Sequence, residues 1–520
     1  VRSCDRLGAK KMLTRNRIYP PAGETVDVVV VGAGGAGLAA AIEAAESGAR
    51  VVLLEKNDAP GGSTAWSIGS VSASQTPHQR AQGIADTPEA HWEDMPGFAG
   101  DLADRDNDAL RRILCDAMPD TFQWLLDSGI RFMGPMPEPP HRVPRMHNVL
   151  PNSRSFIYHL VRRARRCGVD IRVRARVTEL VLEQDGVRGV LVECGGSAAR
   201  RIDARGGVIL AAGDFTNSPE LKARFMGPQE AKVDAVNPTA TGDGQRMAER
   251  CGARILNGDL ALGPEIRFIA PAKENFVRRL PPWRSLAAVM QWSMKHLPDA
   301  ILRPFLMKFL TTALAPALAL FEDGALLVNT RGERFGDETD RPAYRLPDQP
   351  DGIGYIVIDG RIAERYSRWP HFISTAPGVA YAYLADYRRN RPDVYREAAT
   401  IDGLAAMTGM DAGALGASIA GAAGPNALAR APFIALGPVR AVFVHSEGGL
   451  RVDEQHRVID AGGQPIAGLF AAGSTGQGGL LLKGHGHHLA WAFASGRRAG
   501  RLATMAAKRT SGSETRAETA

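Results

Sequence analysis

The sequence predicts an α/β chain in which a discontinuous Rossmann-like dinucleotide-binding domain is interrupted by an inserted α+β capping domain. Three observations predict it. The run Val26-Asp27-Val28-Val29-Val30-Val31 leads directly into Gly32-Ala33-Gly34-Gly35-Ala36-Gly37. Strand-and-glycine character fills residues 25–262 and returns over 440–505. Between them, residues 263–439 are rich in proline and short amphipathic pieces and lack nucleotide signatures. At 520 residues, more than one domain is expected. Residues 1–24 and 506–520 are expected as flexible tails.

Each element has a reason. The valine run suits a strand covered on both faces of a parallel sheet. The turn has the spacing GxGxxG: Gly32 allows the tight turn, Gly34 lets backbone approach a pyrophosphate, and Gly37 lets helix and strand pack closely. Ala33, Gly35 and Ala36 complete a helix N-terminus that offers N–H groups to phosphate. Residues 38–47 are alanine-rich and predict that helix. Arg50-Val51-Val52-Leu53-Leu54-Glu55 predicts the next strand, with Glu55 placed to accept ribose hydroxyls. Residues 101–166 predict mainly helices, 171–183 and 186–193 an antiparallel pair, and 207–213 another buried strand.

Composition narrows the function. The chain is 44% hydrophobic and 23% charged, ordinary for a globular enzyme. The net charge of +7 is scattered, with no aromatic-interleaved basic stripe, so no nucleic-acid partner is expected. Cys4, Cys115, Cys167, Cys194 and Cys251 form no CxxC pair, which predicts neither a metal centre nor a disulfide framework and fits a reducing cytoplasm. His485, His487 and His488 have poor ligand spacing, so no metal is expected there. No run reaches the roughly 18 apolar residues of a membrane span. Residues 285–321 are apolar but carry Lys295, Arg303 and Lys308. They are read as packed cap helices, with peripheral membrane contact as the alternative.

Further motifs carry a resemblance. Gly61-Gly62-Ser63-Thr64-Ala65-Trp66-Ser67-Ile68-Gly69, the strand 207–215, Thr241-Gly242-Asp243-Gly244, Gly468-Leu469-Phe470-Ala471-Ala472-Gly473-Ser474 and Gly496-Arg497-Arg498-Ala499-Gly500 occur in that order. Together they resemble the FAD-dependent fumarate reductase and 3-ketosteroid dehydrogenase flavoproteins. The resemblance implies FAD, bound non-covalently because no histidine lies between Thr64 and Ser74. It implies that Lys56, Gly61 and Gly62 begin the flavin loop, with Ser63 and Thr64 beside pyrophosphate and flavin and the Gly69 backbone near N5. Val177 would meet the adenine. Ala212, Gly213, Asp243 and Gly473 would lie along the cofactor, with Ser474 at the ribityl chain. Leu489 and Ala490 would aim N–H groups at the pyrimidine end.

The resemblance also implies chemistry at a CH–CH bond beside a carbonyl: hydride exchange at flavin N5, with a side chain handling the proton. The ketosteroid pattern points to Tyr344, with His485 or His487 as ketone-polarising donor. The fumarate pattern points to Arg341 as proton donor and to Lys483 and His445 (the "HTMGG" histidine) as substrate ligands. The expectation is dehydrogenation of a hydrophobic cyclic or steroid-like ketone, with an external electron acceptor or donor. The alternatives are reduction of an unsaturated carboxylate and a flavoprotein electron-transfer subunit.

Overall fold

The valine run lies in the strand Ala22–Val31, which pairs in parallel with Val51–Leu54 on one side and Arg200–Leu210 on the other. Val28, Val29 and Val30 are fully buried. Coverage on both faces is why the run is apolar without alternation. This computed structural model describes residues 22–518 apart from 184–185, 272–278, 299–302, 304–306, 308–310, 312–314, 377–379 and 423–426.

The sheet has eight strands. Its main path runs Arg457–Ile459, Pro465–Ala471, Arg200–Leu210, Ala22–Val31, Val51–Leu54 and Asp170–Arg172. Ala175–Glu183 and Gly186–Cys194 form an antiparallel pair against Arg200–Leu210. Pro465–Ala471 therefore brings the C-terminal part of the chain into the sheet begun at residue 22. Helix Gly35–Glu46 packs against the closing helix His487–Glu518. A Cβ on Gly496 would sit 2.3 Å from Ala36 O, and one on Gly500 2.3 Å from Ala40 O. Only glycine permits that approach, so both helices are rich in small residues.

A second sheet of six strands gathers around the long strand Phe433–Phe443. Its partners are Glu265–Phe268, Ile353–Ile358 and Tyr395–Ala398, with Leu326–Asn329 beyond Ile353–Ile358. Ile266, Leu327, Ile356, Leu436 and Phe443 belong to a hydrophobic core separate from that of the first sheet. This sheet reaches outside residues 263–439, because Asp234–Ala235 pairs with Val442 and Phe443. A small antiparallel sheet joins Ser70–Ser72 to Met146–Leu150 and Arg131–Met136, and the last two strands lie within the stretch 101–166 read mainly as helical.

The tails need correction. The first strand already starts at Ala22, and its Glu24 pairs with Ile202. The closing helix continues to Glu518. Residues 506–518 extend that helix because Ala503 and Ala507, one turn apart, are buried against Gly206. Among the described residues no helix is long and apolar enough to cross a membrane. On helix Arg284–His296 and at its start, Trp283, Val289 and Trp292 are exposed. Much of the rest of the 285–321 expectation lies outside the described residues.

Candidate active site

The glycine turn floors a solvent-open cleft of about 850 Å³. Gly32, Gly34, Gly35, Ala36, Glu55, Lys56, Gly62, Ser63, Thr64, Val177, Ala212, Gly213, Asp243, Gly473 and Ser474 all line it. Glu55 is held ready: Ala33 N donates to its Oε2 at 2.8 Å and Asn57 N to its Oε1 at 2.9 Å. Each oxygen keeps a lone pair for a ribose hydroxyl. Gly35 N donates to Thr64 Oγ1 at 3.1 Å. Lys56 Nζ donates to Thr241 Oγ1 at 2.6 Å and Asp243 Oδ2 at 2.9 Å. Burial alone would raise the Asp243 carboxyl, but Lys56 and then Arg176 hold it below the ordinary carboxylate range.

The cleft fits a dinucleotide. A Cβ on Gly213 would meet nothing within 4 Å, and one on Gly34 only Gly61 O at 3.8 Å. Space is left there for phosphate and ribityl groups rather than for protein. Gly37 faces the other way: its Cβ would lie 1.8 Å from Gly32 O, so it serves helix–strand packing.

Several expected positions stand off the cleft lining. Ala33 contributes its N–H to Glu55, and Gly61 N donates to Ala33 O at 3.0 Å. Gly69 O accepts from Val149 N, and a Cβ there would strike Val149. Ala490 N is already bonded to Gly486 O, because the closing helix starts at His487. Its N–H is therefore not free, while Leu489 lies in the unbonded first turn.

The three histidines near residue 487 point to three different places. Gly484 and Gly486 both have φ of +93°, and the helix then turns successive side chains about 100° apart. His485 Nδ1 meets Glu138 Oε1 at 2.5 Å, and its N–H donates to the same oxygen at 2.6 Å. That hydrogen bond raises the His485 pKa against the opposing effect of burial. Glu265, on the second sheet, adds to the rise, so this edge of that sheet faces His485.

His487 is buried with His91 and His141. Arg145, itself held by Asp86 and Asp94, donates to His141 Nδ1 at 2.9 Å. His141 Nε2 lies 3.2 Å from His487 Nε2, and His487 Nδ1 donates to Lys483 O at 2.6 Å. The chain has one direction, Arg145 to His141 to His487 to Lys483 O, and it consumes the ring nitrogens of His141 and His487. Burial, His487 and Arg145 lower His141 to about 2, so it is neutral. His487 is thus turned away from any substrate and braces the Lys483 loop.

His488 joins His445 and Glu447. His488 Nε2 lies 3.3 Å and His445 Nε2 3.6 Å from Glu447 Oε1, and the ring centroids are 3.7 Å apart. Leu482 N donates to Glu447 Oε2 at 3.0 Å, joined there by Gln477 Nε2. The cluster lies just beyond one end of the cleft. Asp214, next to cleft residue Gly213, is close enough to act on His445, and a Cβ on Gly449 would lie 2.7 Å from Ser474 O. Lys483 is half-buried, and its amine has no described partner.

Arg341 and Tyr344 lie against the second sheet. The turn Pro342–Tyr344 packs on Glu265–Phe268 and Phe433–Phe443. Arg341 is exposed, 3.9 Å from Asp340, with its guanidinium 5.4 Å from the Tyr344 ring centroid. Burial raises the Tyr344 hydroxyl pKa. The structure does not bring these two into the histidine cluster. Arg334 pairs with Glu338 at 2.6 Å.

Sequence reasoning missed Asn57, Arg176, Asn237, Thr239 and Met247, which line the cleft, and Glu138 and Glu447. Asn237 donates to Ser63 Oγ at 2.9 Å. A signal existed for Glu447, since the "HTMGG" pattern has methionine at its position.

The model of the FAD binding domain family matches residues 27–265 and 303–481. The chain belongs to that family. It is an FAD-dependent oxidoreductase. Over 481 residues the flavoprotein is 27% identical to a fumarate reductase (cytochrome) of Shewanella frigidimarina, covering 87% of this chain and 72% of that one. It is similar to the open conformation of a flavocytochrome c3 fumarate reductase, with TM-score 0.69, 25% identity and coverage of 97% and 81%. It shares its fold with a 3-ketosteroid-Δ4-(5α)-dehydrogenase of Rhodococcus jostii RHA1, with TM-score 0.58, 23% identity and coverage of 94% and 99%.

Proposed function

We propose that the flavoprotein exchanges hydride with a carbon–carbon bond conjugated to a carbonyl, with a cyclic ketone or its enone as the substrate class. When bound, non-covalently, FAD supplies the hydride-exchanging centre. The observation that carries the reading is the pair His445 and His488, held by buried Glu447 beyond the Gly213–Ser474 end of the cleft. That cluster polarises the substrate oxygen and stabilises the enolate. His485, made more basic by Glu138, holds or delivers the proton, with Tyr344 on the facing domain as the second candidate. Residues 25–262 and 440–505 form the cofactor domain, and residues 263–439 cap the flavin through the edge at Glu265. An external acceptor or donor completes the cycle.

A second reading rests on Lys483. A half-buried cation with no partner among the described residues suits a carboxylate, and the similarity to fumarate reductases supports reduction of an unsaturated acid. Arg341 would then be the proton donor.

Anaerobic photoreduction followed by reoxidation with enones, unsaturated carboxylates and fumarate tests both. Enones are expected to reoxidise the flavin rapidly. Reoxidation by unsaturated acids but by no enone would overturn the first reading in favour of the second.

A further inference from the structure

Helix Arg284–His296 is fixed on one side and uncovered on the other. Ala287 is buried on the inner side. There Gln291 Nε2 donates to Phe132 O at 2.8 Å, and its Oε1 accepts from Arg131 at 3.3 Å. These bonds set the rotation of the helix on the strand Arg131–Met136. At about 100° per residue, Ser285, Val289, Trp292 and His296 fall on the opposite side, and all four are exposed. Val289 is 60% and Trp292 58% exposed, and Trp283, at the helix start, is 57% exposed. The His296 ring stacks on Trp292 with centroids 4.9 Å apart, which holds the indole in its outward position. Single exposed apolar residues are ordinary, but two tryptophans and a valine on one short helix form a patch.

The charge beside the patch is of one sign. Neither this helix nor its neighbour Arg154–Arg166 contains an Asp or Glu. Burial holds the ring of His159, on that neighbour, below the ordinary histidine range. The Pro282 carbonyl opposes this, whereas Arg162, Arg284 and Arg166 add to it. Three guanidinium groups therefore gather near one buried ring, next to Trp283. Arg163 is taken up by Glu46, but among the described residues no carboxylate pairs with Arg162, Arg165, Arg166 or Arg284.

We propose that helix Arg284–His296 and the arginines beside it form a docking surface for an anionic lipid bilayer. The exposed stripe runs the length of the helix, about 16 Å from residue 285 to 296, so the helix lies in the plane of the bilayer surface. Trp283 and Trp292 sit at headgroup depth, where an indole meets hydrocarbon with its body and water with its N–H. Arg162, Arg165, Arg166 and Arg284 attract the negative headgroups, each strengthening binding about fivefold. A bilayer suits a convex helix ridge, whereas a folded protein would need a separate pocket for each indole. The surface does not depend on which substrate the flavin meets.

The test is co-sedimentation of FAD-loaded protein with vesicles of mixed phosphatidylcholine and phosphatidylglycerol, read by flavin absorbance in the pellet. Binding is expected, at least about tenfold weaker on phosphatidylcholine alone and reduced by added salt. Val289→Ser combined with Trp292→Ser should weaken it at least about tenfold. Arg162→Gln combined with Arg166→Gln should weaken it about twenty-five-fold. Both variants should keep their FAD content and thermal midpoint, because the altered side chains are exposed. No sedimentation of flavin-replete wild type with the mixed vesicles would overturn the surface, as would undiminished binding by the Val289→Ser, Trp292→Ser variant. Equal binding to neutral vesicles would overturn the part given to the arginines, and with it the choice of an anionic bilayer. Self-association that the same variant abolishes, without vesicle binding, would give the face to a second copy of the chain and overturn the lipid assignment.

Discussion

Lys56 Nζ and Asp243 Oδ2, 187 residues apart in sequence, lie 2.9 Å apart in the lining of the cleft above the glycine turn. Their side chains are 19% and 16% exposed, so the pair is partly shielded from water. The Lys56 loop leaves the second strand of the sheet, and Asp243 starts helix Asp243–Glu249. The ion pair therefore closes the cleft from two sides.

Asp243→Asn should weaken FAD binding about tenfold and cost on the order of 1–2 kcal/mol of stability. The pH dependence has a definite sign. A carboxylate held below its unfolded value stabilises the fold above about pH 4, and that contribution is lost as pH falls through the folded value. Acid titration of FAD fluorescence should show release in the wild type at a lower pH than in Asp243→Asn. Identical release curves would remove the pair from cofactor retention.

Gly37→Ala places a methyl 1.8 Å from Gly32 O, a backbone atom that cannot swing aside. A loss of at least about 3 kcal/mol is expected, together with most of the bound flavin. Chemical denaturation and the flavin-to-protein absorbance ratio measure both. Gly213→Ala, in open space but at φ +83°, should be milder in stability and fall mainly on FAD affinity.

The Glu138–His485 contact predicts a kinetic limb. The hydrogen bond that the His485 ring donates to Glu138 raises the His485 pKa, so its protonated form persists above about pH 6.5 and is lost as pH rises through the folded value. Glu138→Gln should move the alkaline limb of the kcat/KM profile for enone reduction to lower pH. An unmoved limb would assign the proton to another group, with Tyr344 next to be tested.

Lys483→Met separates the two substrate readings. For unsaturated carboxylates KM should rise at least about tenfold, whereas neutral enones should change by less than about twofold. Equal effects on both would make Lys483 a loop-bracing residue, in line with its carbonyl holding His487.

What was legible in the sequence is what backbone geometry dictates. Gly32, Gly34 and Gly37 each occupy a place where a side chain would collide or block the cleft, and Glu55 must end the neighbouring strand, so their spacing carries the site. The histidines were illegible for the opposite reason. His487 meets His91 across 396 residues, and Glu447 meets His488 across 41. Linear spacing treats His485, His487 and His488 as one cluster, whereas two left-handed glycines and a helix start send them to three. The second sheet reached back to Asp234 because an eleven-residue strand has more edge than the inserted segment alone can pair.

The interlock of Ala36 and Ala40 with Gly496 and Gly500 has a consequence for biosynthesis. Helix Gly35–Glu46 emerges from the ribosome early, but its supporting partner is translated more than 440 residues later. Until then its small, apolar flank is uncovered, and the sheet also lacks the strand Pro465–Ala471. Cofactor capture is consequently a late event, and the nascent chain must be shielded from aggregation over nearly the whole of its synthesis.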